Sequence, residues 1–277
     1  MVFRGALKKI MNKVALIIST YNRPKALQLT FESVIRQSYM PDEIIIADDG
    51  SNAETSELTE LYRNKILMPM VHCWHPDKGF QLAVIRNKAI ALSSTEYIIS
   101  IDGDLILHRH FIRDHLRTKE FGCFVQGSRV LSSEELTRQI ESESVFRELN
   151  WFSKGITNRL NCICSPLISG WFSHKQILFD HMNGVRGCNM AFWRKDFVAV
   201  NGFNEDITGW GREDSELVAR FRNHNIQRKN LKFGGIVNHL FHPERSRDSL
   251  SQNDAILEKT VSQKLRICTN GINKYLN

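Results

Sequence analysis

The sequence predicts an α/β domain built on a mixed, mainly parallel sheet flanked by helices. Short apolar runs alternate with helical patterns over roughly the first 120 residues, as strand–helix–strand units with parallel neighbours do. Polar clusters also follow several of these runs, at the strand ends where open α/β sheets bind ligands.

Val14–Ser19 reads as the first strand. Pro24, with its pre-set φ and missing N–H, is placed to open a helix reaching about Gln37. Glu43–Ala47 is the second strand and runs into Asp48-Asp49-Gly50-Ser51. A helix over Thr55–Tyr62, a short strand over Met70–Cys73 and a helix over Gln81–Leu92 follow. Tyr97–Ile101 is the next strand, and Asp102-Gly103-Asp104 sits where its carboxyl end emerges. From Ser132 to Gly184 helical patches mix with basic residues and the aromatics Phe146, Trp151, Phe152, Trp171 and Phe172. This insertion either packs its aromatics inward or forms a lid that touches an acceptor or a membrane. Beyond Gly187 the pattern predicts a strand over Asn189–Trp193 and helices over Phe197–Val200 and Glu213–His224. A strand over Val237–Phe241 and a closing helix over Asp254–Arg266 complete the order. No repeat or linker divides the chain, so 1–277 is expected to be a single domain.

Composition narrows the partners. Of 277 residues, 42% are hydrophobic and 24% charged, enough for an ordinary core and unlike a disordered chain. Thirty-seven Lys and Arg against 30 Asp and Glu give +7, which favours phosphates, nucleic acid or an acidic membrane surface. No basic–aromatic block, zinc-finger spacing or RNP-like string occurs, so nucleic acid is not an expected partner. The six cysteines form no C-x-x-C pair, and Cys162-Ile163-Cys164 has no matching half. A zinc site is therefore not expected, and the cysteines suit a reducing cytosol. Lys8, Lys9 and Lys13 precede Val14–Ile18, a run too short for a signal peptide. No run is long enough to cross a bilayer. The expectation is a cytoplasmic protein, soluble or peripheral at the inner face of the membrane.

Asp102 and Asp104 flank a glycine and repel each other unless a cation lies between them. Mg²⁺ or Mn²⁺, with oxygen ligands and phosphate oxygens in its shell, fits that pattern, and so does a solvated turn.

Five strings, ALIISTYNRP, IIIADDGS, DKGFQLAVIRN, IDGD and GWGREDSE, occur in this order. Together they resemble family 2 glycosyltransferases of the GT-A fold. The later segment is similar to β-1,4-galactosyltransferases and bacterial chondroitin polymerases. The resemblance implies a Rossmann-like nucleotide-diphospho-sugar transferase fold. Residues 14–127 would form the nucleotide-sugar-binding half, 184–245 the acceptor and catalytic half, and 246–277 a closing helical segment. It places Thr20, Tyr21, Asn22 and Arg23 at the nucleotide and makes Asp49 the acceptor for the uracil N–H. Lys78 and Arg86 would balance phosphate or carboxylate charge at a helix N-terminus, with Gln81 also contacting the nucleotide-sugar, although Arg86 and Asn87 read equally as a helix-face pair exposed to water. Asp104 would bind the metal, with Asp102 and Gly103 beside the ribose or in the metal shell. Trp210 would face a sugar ring. Asp214 would be the catalytic base and Glu213 would hold the acceptor, while acidic capping of a helix start is the plain alternative. His242 would complete the metal shell together with His239, which stands where relatives carry methionine. Imidazole ligation favours Mn²⁺ over Mg²⁺.

The resemblance thus implies an inverting, metal-dependent hexosyltransferase. It would move a hexose or N-acetylhexosamine from a UDP-sugar to a carbohydrate hydroxyl, on a lipid-linked acceptor of bacterial lipopolysaccharide or capsule synthesis. A non-catalytic nucleotide- or glycan-binding protein and a sugar nucleotidyltransferase are the alternatives. The latter needs a phosphate-cradling glycine loop near the N-terminus, and none is present. A single D-x-D argues against a two-site polymerase.

Overall fold

The computed structural model describes residues 13–143, 146–173, 184–243 and 246–276. The chain first alternates β1 (Val14–Thr20), α1 (Pro24–Ile35), β2 (Glu43–Asp48), α2 (Ala53–Lys65), β3 (Met70–Trp74), α3 (Leu82–Leu92) and β4 (Tyr97–Asp102). Next come β5 (Leu105–Leu107), α4 (Phe111–Thr118), β6 (Cys123–Gly127), β7 (Val130–Ser132), α5 (Glu134–Glu143) and β8 (Ile156–Thr157). The remainder holds α6 (Pro166–Ser173), β9 (Asn189–Trp193), α7 (Arg194–Ala199), α8 (Glu213–Asn223), β10 (Gln227–Leu231), β11 (Val237–His239) and α9 (Leu250–Ser262).

Among the described residues, seven strands form one sheet in the order β10-β6-β9-β4-β1-β2-β3. The β1–β2, β2–β3, β1–β4 and β6–β10 pairs are parallel, while β9 runs antiparallel to β4 and β6. The fold is therefore α/β with a mixed, mainly parallel sheet. Helices cover both faces, so β1 is buried along its whole length and reads as an unbroken apolar run. Its pleat divides it between two cores. Val14, Leu16 and Ile18 pack with Phe31 and Tyr97, while Ala15 and Ile17 pack with Ile85 and Phe192. A second sheet, β5-β11-β7-β8, covers a third core containing Ile106, Val130, Ile140 and Leu240.

Two registers place the functional residues. Antiparallel pairing sets Ile101 of β4 opposite Asn189 of β9, which brings Gly187 and Cys188 beside the D-x-D turn. Pairing of His239 with Leu105 carries the C-terminal histidines back to Asp104, whose carbonyl accepts the Leu240 N–H at 3.0 Å.

The elements differ from the sequence expectation mostly outside the parallel half. The helix expected over Phe197–Val200 spans Arg194–Ala199, and the strand expected over Val237–Phe241 stops at His239. The closing helix begins at Leu250, not Asp254, and ends at Ser262. Glu216 and Arg220 of α8 form a buried 2.6 Å ion pair, and the Thr260 hydroxyl donates to Glu216 at 3.0 Å, tying that helix down. In the insertion, Phe146 packs against the third core under the Arg36 guanidinium. Phe152 (87%), Trp171 (63%) and Trp151 (40%) are exposed, so inward packing does not hold for them. Residues 174–183 of that insertion lie outside the described residues, as do Lys8 and Lys9. No helix among the described residues is long and apolar enough to cross a membrane.

Candidate active site

A cleft of about 1040 Å³ opens where β1, β2 and β4 end. At one side lie Thr20, Tyr21 and Asp49. Of the two adjacent aspartates, Asp48 is used by the fold, accepting the Ser51 N–H at 2.8 Å and meeting His72 Nε2 at 2.8 Å. Asp49 lines the cleft, its Oδ1 2.8 Å from His75 Nε2 and its Oδ2 accepting the Gln81 N–H at 2.8 Å. Burial pushes the Asp49 carboxyl up, against the pull of these two contacts. Gly50 at φ +94° is required here, because a Cβ would stand 2.5 Å from the Asp77 backbone.

Asn22, Lys78 and Gln81 do not line the cleft. Asn22 forms a turn at φ +48°, its N–H donating to Ser51 Oγ at 2.9 Å and its Oδ1 accepting the Asn52 N–H at 2.9 Å. Lys78 is exposed, and Gln81 reaches the site through its backbone N–H to Asp49. Arg86 and Asn87 are not a solvent-facing pair, being 1% and 0% exposed. Asn87 holds Phe203, donating to its carbonyl and accepting its N–H, each at 2.8 Å. Arg86 lies under the cleft floor. It donates through Nε to Ser19 Oγ at 3.0 Å and through Nη2 to Asp102 Oδ1 at 2.6 Å, while Nη1 is buried without a partner.

Asp102 is thus turned toward a guanidinium through Oδ1, and it is not among the three residues whose ligand atoms converge. Asp104, His239 and His242 each offer one ligand atom, all within 4.8 Å of one another. Asp104 Oδ1 is buried, has no hydrogen-bond partner and lies 3.7 Å from His239 Nε2, and Oδ2 lies 3.6 Å from His242 Nε2. A carboxylate with one oxygen unpartnered beside His239 and the other beside His242 fits a divalent cation, and carboxylate oxygen with two imidazole nitrogens suits Mn²⁺. Burial pushes the His239 imidazole below its ordinary value, favouring the neutral form that ligates metals. Arg23, expected at the nucleotide, is held at this carboxylate. Its guanidinium donates to Asp104 Oδ2 at 2.9 Å, to Glu141 at 3.2 Å and to the Phe241 carbonyl at 3.0 Å.

Across the cleft the chain turns sharply into α8. Gly209 (φ +67°), Gly211 (φ +104°) and Arg212 (φ +77°) all take left-handed geometry, with the exposed Trp210 between the two glycines. Asp214 accepts the Gly187 N–H at 2.7 Å and the Ser215 N–H at 2.6 Å. Glu213 Oε2 is buried without a partner. Burial, and then the Asp214 charge, push its carboxyl up to about 7, against the pull of Arg86.

That shift has a signed consequence for stability. The ordinary value is 4.5, so the folded chain keeps a proton that the unfolded chain loses first. The stability due to this proton is complete below 4.5 and is lost as pH rises through 7. Glu213→Gln is neutral throughout. Thermal melts should coincide for the two proteins near pH 4.5 and place the variant about 2–6 °C higher at pH 8. A lower melting point at pH 8 would mean that the carboxylate is held by its surroundings.

Three features of the site were not read from the sequence. His75 follows the third strand with no motif of its own, Glu141 comes from the uninterpreted insertion, and Arg129 and Arg186 line the cleft singly. Seven arginines and seven carboxylates line it among the described residues. The +7 excess is therefore not concentrated there.

Comparison with known proteins finds related families and folds. A family profile described as Glycosyl transferase family 2 matches residues 15–197, and one described as the N-terminal domain of galactosyltransferase matches residues 174–243. Similar curated proteins include validoxylamine A glucosyltransferase of Streptomyces hygroscopicus subsp. limoneus, 26% identical over 77% of this chain and 48% of its own. Chondroitin synthase of Escherichia coli is 24% identical over 76% of this chain and 32% of its own. Protein CgeD of Bacillus subtilis is 34% identical over 76% of this chain and 46% of its own. The aligned part thus spans about half or less of these relatives. Among solved structures, S. aureus TarS 1-349 in complex with UDP superposes with TM-score 0.61 at 14% identity, covering 95% of this chain and 68% of that one. Mannosyltransferase PcManGT from Pyrobaculum calidifontis, in complex with GDP-Man and Mn²⁺, gives TM-score 0.55 at 15% identity, covering 88% and 61%.

Proposed function

Since the chain belongs to glycosyl transferase family 2 and so takes its sugar from a nucleotide-sugar, we propose that the donor is a UDP-sugar and the acceptor a carbohydrate hydroxyl, joined in one inverting step. The observation that carries this reading is the convergence on one cleft of Asp49, the Asp104–His242 pair and Asp214. The nucleotidyltransferase alternative would leave the Trp210–Asp214 wall unused.

Each Asp49 oxygen has a second lone pair, so the carboxylate accepts the uracil N–H while keeping His75 and the Gln81 amide. Asp104, His239 and His242 would hold Mn²⁺, which supplies Lewis-acid neutralisation of the diphosphate charge. The unpartnered Nη1 of Arg86 adds a fixed positive charge beneath the diphosphate. The Trp210 face receives a sugar ring, and Glu213 hydrogen-bonds an acceptor hydroxyl. Asp214 takes the proton of the attacking hydroxyl as its oxygen bonds the anomeric carbon. The bond from that carbon to the phosphate oxygen breaks on the opposite face, so an α-linked donor gives a β-linked product. Residues 14–127 thus serve the donor and 184–245 the acceptor and base. The acceptor is a lipid-linked glycan of bacterial surface-polysaccharide synthesis, met at the cytoplasmic face of an anionic membrane.

The test is UDP release from a panel of UDP-sugars, with Mn²⁺ and with chelator, alone and with glycan acceptors on anionic vesicles. Metal-dependent release from one donor, enhanced by a vesicle-borne acceptor, is the expected result. Failure to bind any uridine nucleotide would overturn the donor assignment, and equal rates with free and vesicle-borne acceptor would overturn the membrane placement.

A further inference from the structure

We propose that His108, Asp114 and Cys164, with Glu148 as fourth ligand, form a zinc site that ties the insertion to the body of the fold. It shares no residue with the Asp104 cluster. His108, Asp114 and Cys164 each offer one ligand atom, all within 4.8 Å of one another. Glu148 Oε1 lies 3.6 Å from His108 Nε2. Ligands about 2.0–2.3 Å from a tetrahedral zinc stand roughly 3.3–3.8 Å apart, so small side-chain movements close this group onto an ion.

The four come from separate parts of the chain. His108 follows β5, Asp114 lies in α4, and Glu148 and Cys164 belong to the insertion on either side of β8. Asp114 is already fixed on one side, its Oδ2 accepting the Gly235 N–H at 3.1 Å. Its Oδ1 faces the Arg113 guanidinium at 3.1 Å, a surface group that a dication would displace. Ligation through His108 Nε2 puts the ring proton on Nδ1 and ends the long 3.3 Å contact from the His110 N–H. Thiolate, imidazole and carboxylate together select zinc, whereas the Asp104 group lacks sulfur.

This site gives the Cys162-Ile163-Cys164 string a meaning and reverses the expectation that no zinc is bound. Cys162 packs against the third core, while Cys164 meets a histidine and an aspartate about 50 residues earlier in the chain. Leu149 and Ile156 anchor the insertion in the third core, whereas Phe152, Leu160 and Leu167 are 87%, 68% and 89% exposed, so a metal at Cys164 would cross-link the part of the insertion that apolar burial does not hold.

The experiment is Zn²⁺ and Co²⁺ titration of metal-free full-length protein, compared with Cys164→Ser, His108→Gln and Asp104→Asn. Wild type and Asp104→Asn should each show a cobalt–thiolate charge-transfer band and a rise in melting temperature on adding Zn²⁺. The band should be lost in Cys164→Ser and His108→Gln, and the melting rise should be lost when either change is combined with Asp104→Asn, with zinc affinity at this site down on the order of 100-fold. Circular dichroism of the metal-free variants checks that they fold. Absence of the band in wild type, its persistence in Cys164→Ser, or zinc uptake abolished by Asp104→Asn alone would each overturn the proposal.

Discussion

Asp214→Asn is expected to lower turnover by about 10²- to 10⁴-fold, the usual contribution of a general base. UDP affinity should stay within about twofold, because a base acts on the acceptor proton and makes no ground-state contact with the nucleotide. The site separates these effects physically. Asp214 sits at the start of α8 against Gly187, across the cleft from Asp49, and both of its oxygens already accept backbone N–H groups. An asparagine has one oxygen, so its amide would present N–H to one of those two donors and could not take a proton. The close fit at Gly187, where a Cβ would stand 3.3 Å from Asp214 Cβ, leaves little room for an alternative rotamer. Initial rates at saturating donor and acceptor, paired with UDP titration calorimetry, measure the two quantities. Turnover within tenfold of wild type would remove Asp214 from the base role. Collapse of UDP affinity instead would assign it to holding the cleft together. Glu213→Gln is the companion, since it keeps the neighbouring volume while leaving the base in place.

The parallel half of the fold was legible in the sequence because strands buried on both faces carry near-continuous apolar runs, with polar residues mostly at their ends. Val14–Thr20, Glu43–Asp48 and Tyr97–Asp102 all obey that rule and differ from expectation by a single residue at their carboxyl ends. The strand-end carboxylates were legible for the related reason that a polar cluster after such a run stands at the mouth of the sheet. Outside that half the rule fails. Gln227–Leu231 carries Gln, Arg, Lys and Asn yet pairs with β6 as an edge strand, where one side needs no apolar cover. The closing helix starts four residues early because tertiary contacts set its beginning, Ser249 lying against Gly209 and Leu250 against Gly211. Contacts between side chains distant in sequence were illegible too. Nothing near Asp49 announces His75, and nothing near Arg23 announces that it spans Asp104 and Glu141.

Removing the metal carboxylate has an outcome that depends on that arginine. Asp104 faces two cations in turn, the guanidinium of Arg23 at 2.9 Å and the ion its unpartnered oxygen would share with His239 and His242. Asp104→Asn should weaken Mn²⁺ binding by about 10- to 100-fold or more and lower turnover by a comparable factor. It also releases Arg23, so a loss of activity alone would not separate the two roles. His242→Ala does, because it leaves the Arg23–Asp104 pair untouched and removes one imidazole at the exposed side of the cluster. Electron paramagnetic resonance of free Mn²⁺ reads the affinity directly in both variants without turnover. If both lose Mn²⁺, and excess Mn²⁺ restores the rate of His242→Ala, the carboxylate works through the ion. If Asp104→Asn alone is inactive while His242→Ala binds Mn²⁺ and turns over as wild type, the metal assignment fails, and Asp104 acts by holding Arg23 and, through it, Glu141 and the Phe241 carbonyl.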